Sequence, residues 1–298
     1  MTDIWEALRV DQDRLVSRRE SATILKRLLP SLAGIELEDS GRTLVRCIAI
    51  RIGRAIVEGK LAPGDDLNSV EVARFFETSR TTVREALMLL EKEGLVEILP
   101  HRRPRVASVT LEDARYIYEV RGALAALVAE RIVRYATDDD IEVLWSVYPR
   151  LEAAVQAGDV DAYHWELSVF RDLETTIAGN KEAKRILDSL GLRVLQLRHL
   201  SLSLPGRLEH ALDHRRRVLQ AYRDRDSALA SALNRSAATN SFAVIERHGW
   251  PPPGRTAGLA NGGPIEVVRA RRSTSPEPVL AAADVSGERM STRDHDQS

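Results

Sequence analysis

This chain of 298 residues has a single cysteine, Cys47. An intrachain disulfide is therefore excluded, and a lone cysteine inside an apolar helix reads as a small packing residue rather than a reactive thiol. No apolar run approaches the roughly 20 residues needed to span a bilayer. The start lacks the pattern of a signal peptide. A cytoplasmic chain with no membrane partner is expected. Net charge is scarce as well, at −1. That excludes a basic footprint over the whole molecule, so any anionic partner must be met by charge placed locally. No internal repeat is found.

What the chain does have is concentrated at 79–94, Ser-Arg-Thr-Thr-Val-Arg-Glu-Ala-Leu-Met-Leu-Leu-Glu-Lys-Glu-Gly. Ser79 is a good N-cap, because its hydroxyl can take up an orphan N–H of the first turn. Val83, Ala86, Leu87 and Leu90 recur at helical spacing and form one apolar stripe. Gly94 stands where a left-handed residue ends a helix. Thr81 and Arg84 lie off the stripe. Arg80 lies close to it in angle and is free only if the first turn projects beyond the core.

The flanks predict a compact unit. Leu44–Glu58 reads as a helix with Ile48, Ile52 and Ile56 four residues apart. Residues 59–64, Gly-Lys-Leu-Ala-Pro-Gly, break it. Ser69–Phe76 reads as a second helix with Val72, Phe75 and Phe76 on its apolar face. Residues 95–99 and 105–109 read as two strands joined by His101-Arg102-Arg103-Pro104. Three helices and a two-stranded wing make a winged helix-turn-helix, whose second motif helix enters the DNA major groove. Within 44–110 there are 11 Lys and Arg against 9 Asp and Glu, a modest local excess of positive charge.

This unit resembles the DNA-binding domain of the GntR superfamily of bacterial transcription regulators. The resemblance is carried by residues 56–64, then Glu71-Val72-Ala73, then Ser79 to Leu87, then Glu93-Gly94-Leu95-Val96. It implies that Ser79, Arg80, Thr81, Thr82 and Arg84 face double-stranded DNA. Arginine suits that role, since its planar fork bonds guanine O6 and N7 together or clamps a phosphate. Hydroxyls and the helix N-terminus hold phosphates and fix register. Taken alone, the arginines would read as a solvated pair. The wing departs from the family, which usually has glycine at the tip; here His101, Arg102, Arg103 and Arg105 make it basic. Gripping phosphate, entering a minor groove, or serving as a charged turn all remain open for it.

The expected organisation is an N-terminal extension at 1–43, the winged helix at 44–109, an all-α domain at 110–248 and a disordered tail at 249–298. In the extension, Trp5, Leu8, Leu15, Ile24, Leu25, Leu28 and Leu29 allow one or two amphipathic helices, and Pro30–Gly41 reads as a linker. The arm either packs on its own domain or adds dimer or DNA contacts. The tail opens at Trp250-Pro251-Pro252-Pro253-Gly254 and buries too little to offset its ordering entropy. Between them, Thr110 caps a helix with Ile117, Val120, Leu124, Leu127 and Val128 along one side. Further helices are predicted at 138–156, 159–178, 181–203, 207–224 and 227–248, with breaks at Gly158, Gly179-Asn180, Pro205-Gly206 and Asp226. The fold class is mainly α: an N-terminal winged helix-turn-helix plus a C-terminal all-α helical bundle.

The bundle resembles the FCD ligand-binding domain of the FadR-like GntR branch. The marks are Tyr118-Glu119-Val120-Arg121, Phe170 with Gly179-Asn180, and His214 with Ala221 and Asp226. Many such domains hold a divalent metal with one Asp and three His. The matching positions here are Leu167, Arg171, His214 and Ser236, so the resemblance implies that the metal is lost and no cofactor is expected. His164 falls on a different helical face. Arg171 then takes over the attraction of a carboxylate effector, with Arg121 the next candidate and His214 a further donor. The alternatives are an Arg171 paired with Asp172 or Glu174 or turned to solvent, and an acyl effector with no arginine role.

Three function classes follow. The first is a nucleoid-associated transcription regulator, a homodimer on a pseudo-palindromic operator, controlled by a small carboxylate or acyl effector. The second is an effector-independent architectural DNA-binding protein. The third is a helical-bundle enzyme; only His210 and His214, four apart on one face, speak for it, and two such histidines are commonly plain polar packing. The first is expected, with no catalytic residues.

Overall fold

The structure, a computed structural model, describes residues 40–248. The amphipathic arm expected before Pro30 and the tail expected from 249 lie outside the described residues, and so does most of the linker expected at 30–41. Helix α1 already begins there, spanning Ser40–Val57. Its buried stripe is Val45, Ile48, Ala49, Ile52 and Ile56, as the spacing of four demands. Cys47 lies off that stripe and is exposed, which corrects its reading as a packing residue. Gly59, at φ 68°, turns the chain out of the helix. Helix α2 spans Ser69–Phe75, with the Asn68 side chain accepting from the Val70 N–H. Helix α3 spans Arg80–Lys92 and packs on α1 and α2. The Ser79 hydroxyl caps it by accepting from the Thr82 N–H at 3.1 Å. Gly94, at φ 70°, ends it in the left-handed region.

The wing is shorter than the sequence implies. Strands β1 (Val96–Glu97) and β2 (Arg105–Val106) are antiparallel, with Val96 opposite Val106. The Ala107 N–H donates to the Leu95 carbonyl, and there the pairing stops. On its other side β2 is taken up by the loop before α2. Gly64 N–H donates to the Val106 carbonyl, Val106 N–H to the Asp65 carbonyl, and Leu67 N–H to the Pro104 carbonyl. At the tip, His101 adopts φ 59° and Pro104 has no N–H to give a ladder.

The bundle has seven helices among the described residues: α4 (Leu111–Tyr135), α5 (Asp138–Trp145), α6 (Tyr148–Gln156), α7 (Val160–Ile177), α8 (Lys181–Leu202), α9 (Arg207–Arg223) and α10 (Ser227–His248). Reciprocal capping boxes, Thr110 with Asp113 and Thr137 with Asp140, start α4 and α5. The single helix expected at 138–156 is two helices. Pro149 in the first turn of α6 cannot donate into a preceding turn, so a new helix starts there. Helix α8 is broken inside by Gly191, at φ 39° and ψ −127°.

Along α4 the expected apolar side is buried at Val128 and partly buried at Ile117 and Leu124, and fails at two positions. Val120 and Leu127 are exposed, at 46% and 37%. The buried line is Ala114, Tyr118, Gly122, Ala126 and Ala129. Helix α10 lies along α4, and a Cβ at Gly122 would sit 3.4 Å from the Ala238 Cβ. Small residues allow that approach. No helix among the described residues is long and apolar enough to cross a membrane.

Winged helix and bundle share a core. Trp165 of α7 and Leu192 and Leu195 of α8 are buried in the same apolar cluster as Ile52, Leu87 and Leu90. The Trp165 Nε1–H donates to Glu58 Oε1 at 2.9 Å. Glu58 also accepts from Arg54 Nε at 2.5 Å and Lys60 Nζ at 2.6 Å. Lys60 reaches Asp161 of α7 at 3.5 Å, and Asp161 meets His199 Nε2 of α8 at 2.7 Å. Full burial of an indole is worth about 4–6 kcal/mol by area, against about 0–1 kcal/mol for the half-exposed Lys60–Asp161 pair. The indole dominates this junction.

Candidate functional site

The first candidate site is the leading turn of α3. Burial of Val83, Ala86, Leu87 and Leu90 fixes which way the helix faces. Ser79, Arg80, Thr81 and Arg84 are then exposed, and Thr82 is half-buried. The condition set for Arg80 is met, because its turn projects past the core. Two of the five residues are partly committed to the helix itself. Ser79 Oγ lies 2.8 Å from Thr82 Oγ1 besides capping the Thr82 N–H. Among the described residues Arg80 and Arg84 have no acidic partner, so both forks are available. His101, Arg102 and Arg103 at the wing tip are exposed. Arg103 approaches Asp66 only to 4.0 Å, whereas Arg105 is half-buried in β2.

The second candidate site is inside the bundle. A cavity of about 110 Å³ and an adjoining one of about 50 Å³ share three lining residues, Arg121, Arg171 and Arg198. Arg121 and Arg171 were expected from sequence, and His214 lines the smaller cavity beside them. Arg171 also pairs with an acid, as one of the alternatives held: its Nη1 donates to Glu174 Oε2 at 2.9 Å and to Asn234 Oδ1 at 2.6 Å. Glu174 is fully buried, accepts from the Tyr222 hydroxyl at 2.7 Å, and lies 3.5 Å from Arg215 Nη1. Arg198 Nη2 donates to Ser168 Oγ at 3.1 Å. Arg215 lies over the Phe170 ring at 4.4 Å, and Arg121 over the Tyr118 ring at 5.5 Å.

The electrostatics follow from this crowding. Burial lowers Arg121 and Arg215 to about 10, and in each case Arg171 adds to the effect. Burial, then Arg121 and Arg171, push Arg198 well below the usual guanidinium range. His214 is lowered to about 4, by burial first and by Arg215 second. Its Nε2 lies 2.9 Å from the Leu233 carbonyl. A neutral ring donating there keeps only an acceptor at its other nitrogen.

The four positions that carry metal ligands in the resembling family do not fit a divalent ion. Leu167 has no donor atom, Arg171 is a cation, and the Ser236 hydroxyl donates to the Leu233 carbonyl at 2.9 Å. That leaves one imidazole. Among the described residues no three His, Cys, Asp or Glu side chains converge. His164 is turned toward the winged-helix junction. It sits edge-on to Trp165 and His199, at 5.0 and 5.4 Å between ring centroids.

Sequence reasoning missed Arg198 and Arg215. A signal for both exists. Leu195, Arg198 and Leu202 fall on one face of α8, and Leu208, Arg215, Leu219 and Tyr222 on one face of α9. An arginine on an apolar stripe is either snorkelling or buried for a purpose.

Comparison with known proteins finds a match for each half of the chain. Residues 44–106 match the family described as "Bacterial regulatory proteins, gntR family", and residues 116–239 match the FCD domain. An HTH-type transcriptional regulator from the TAR-I ttuE-ttuC' intergenic region of Agrobacterium vitis is 33% identical over 151 residues, 50% of this chain and 87% of that protein. The HTH-type transcriptional regulator YdhC of Bacillus subtilis is 26% identical over 181 residues, 60% of this chain and 81% of that protein. Among solved structures, Escherichia coli McbR/YncC shares the fold at a TM-score of 0.59 with 19% identity, covering 68% of this chain and 97% of that one.

Proposed function

The chain belongs to the gntR family of bacterial regulatory proteins and carries an FCD domain, so it is a DNA-binding transcription regulator; from that premise we propose that it binds a pseudo-palindromic operator as a homodimer, under control of a small anionic effector held in the bundle. The exposed, acid-free leading turn of α3 carries this reading. Arg80 and Arg84 supply base-edge or phosphate contacts, while Thr81, Thr82 and Ser79 hold register. His101, Arg102 and Arg103 of the wing add contacts to the backbone or the minor groove. A two-fold dimer matches two half-sites. Its apolar surface is supported by Tyr116, Val120 and Leu127, exposed on one face of α4.

Effector control is supported by the arginine-lined cavity and by its continuity with the winged helix. Arg198 lines both cavities, while Leu195, three residues before it on α8, belongs to the winged-helix core. A ligand that draws on Arg198 therefore acts on the helix that the DNA-binding unit rests against. A coupling of about 1–3 kcal/mol suffices for regulation.

The test begins by mapping bound sites across the native genome, then titrating a recovered site in mobility-shift assays. Arg80→Ala and Arg84→Ala are each expected to weaken binding by about 1–3 kcal/mol if they make bidentate base contacts. Unchanged affinity in both would remove α3 from the interface. Operator affinity indifferent to every organic acid tried would favour the architectural alternative.

A further inference from the structure

Around its two cavities the bundle gathers more positive charge than Glu174 neutralises. Arg121, Arg171, Arg198 and Arg215 are mutually close enough that Arg121 and Arg171 depress Arg198, and Arg171 depresses Arg121 and Arg215. Glu174 is the acid they share, and it is committed to Arg171 and Arg215. The other acids lining the cavity, Asp172 and Asp188, are bridged by Lys184 at 2.7 and 3.3 Å. Arg198 is 6% exposed and Arg215 3%, yet the Nε–H of each, and that of Arg171, has no hydrogen-bond partner among the described residues. Unmatched buried charge is costly, and arginine does not escape the cost by losing its proton. Such a cluster is built to be completed by something that brings negative charge.

One charge is too few. With Glu174 subtracted, three guanidinium charges remain, and among the described residues Arg121 and Arg198 form no ion pair: Arg121 lies over the Tyr118 ring and Arg198 donates to the Ser168 hydroxyl. The two cavities meet at the Arg121–Arg171–Arg198 wall. On one side stand aliphatic groups of Ala125, Val128 and Val194; on the other, Arg215 and His214. We infer that the effector is a small organic dianion, a short dicarboxylate. One carboxylate is held by Arg121 and Arg198, the second meets the open edges of Arg171 and Arg215, and the carbon chain lies across the wall where the two cavities meet. This deepens, and rests on, the effector-cavity reading above.

Calorimetry on the full chain at neutral pH tests it with succinate, glutarate and adipate, each against the monocarboxylate of equal length, butyrate, valerate and hexanoate. At least one dicarboxylate should bind about tenfold or more tighter than its partner, as a further charge-assisted pair predicts. Arg198→Gln should erase most of that preference. If Arg198→Gln does not fold, Arg121→Gln carries the same expectation at a less buried position. Equal affinity within each pair overturns the dianion inference and leaves the effector cavity standing. Binding of inorganic phosphate without any dicarboxylate overturns it in favour of a phosphate ester. No binding of any probe overturns both readings.

Discussion

At the scale of single residues, burial decides what each charged group can do. Arg80 and Arg198 carry the same guanidinium, yet one is exposed at a helix start and the other is 6% exposed between helices. The first is free to exchange water for a phosphate or a base. The second has already lost its water and gains most from a ligand that replaces it. His214 shows the same principle in its titration. The unfolded chain takes up a proton near pH 6.5, which the folded ring refuses until about pH 4. Its contribution to stability is therefore present above about pH 6.5 and is lost as pH falls toward 4. His164, pushed down by burial and then by Arg198, acts in the same direction. Melting temperature is expected to fall between pH 7 and pH 5, and less steeply in His214→Gln, which keeps a donor for the Leu233 carbonyl. Parallel slopes in the two proteins would contradict the depressed titration.

At the scale of elements, α8 is the informative one. Its first half ends at Gly191, in a backbone conformation that a side chain rarely adopts. Its second half carries Leu192 and Leu195 into the winged-helix core, Arg198 into both cavities and His199 onto Asp161. A straight helix would not turn all of these inward together. Gly191→Ala is expected to lower unfolding free energy by about 1–3 kcal/mol, the typical cost of forcing a side chain into such a region. Thermal or urea melts measure it, and an unchanged midpoint would mean that α8 runs on as a regular helix. Helix α3 is simpler. A capping hydroxyl, a four-residue stripe and a closing glycine specify it locally, and the tertiary structure only supports it from beneath.

At the scale of the whole molecule, the winged helix has no core wholly its own, whereas the bundle keeps a separate cluster around Phe170 and Tyr222. Trp165, Leu192 and Leu195 are shared, and the C-terminal end of α3 meets α8, where a Cβ at Gly94 would run into the Arg193 guanidinium. Helix α1, on which α3 packs, is thus seated on the helix that lines the cavity. Assembly belongs to this scale too. Tyr116, Val120 and Leu127 form an apolar face left exposed among the described residues. If the proposed homodimer forms through this face, sedimentation is expected to report a dimer for the unmodified chain and a monomer for Val120→Glu with Leu127→Glu. A double variant that remains dimeric would move the interface elsewhere.

The sequence alone determined the features that are written within a few turns of chain: a winged helix-turn-helix starting near residue 44, a basic first turn at Ser79–Arg84, a helical bundle after Thr110, and Arg121 and Arg171 as effector candidates. Capping, stripe spacing and glycine stops act over a helical turn or two, so they can be read in order along the chain. Tertiary structure alone decided which faces meet. It seated Gly122 of α4 against α10 and left Val120, Leu127 and Cys47 outside, whereas the split of 138–156 at Pro149 is local chemistry that the apolar periodicity hides. Tertiary structure also brought Arg198 and Arg215 beside Arg121 and Arg171, and hung the winged helix on Trp165 through Glu58. The Trp165–Glu58 bond joins residues 107 apart, and no local pattern encodes which distant helix will be the neighbour.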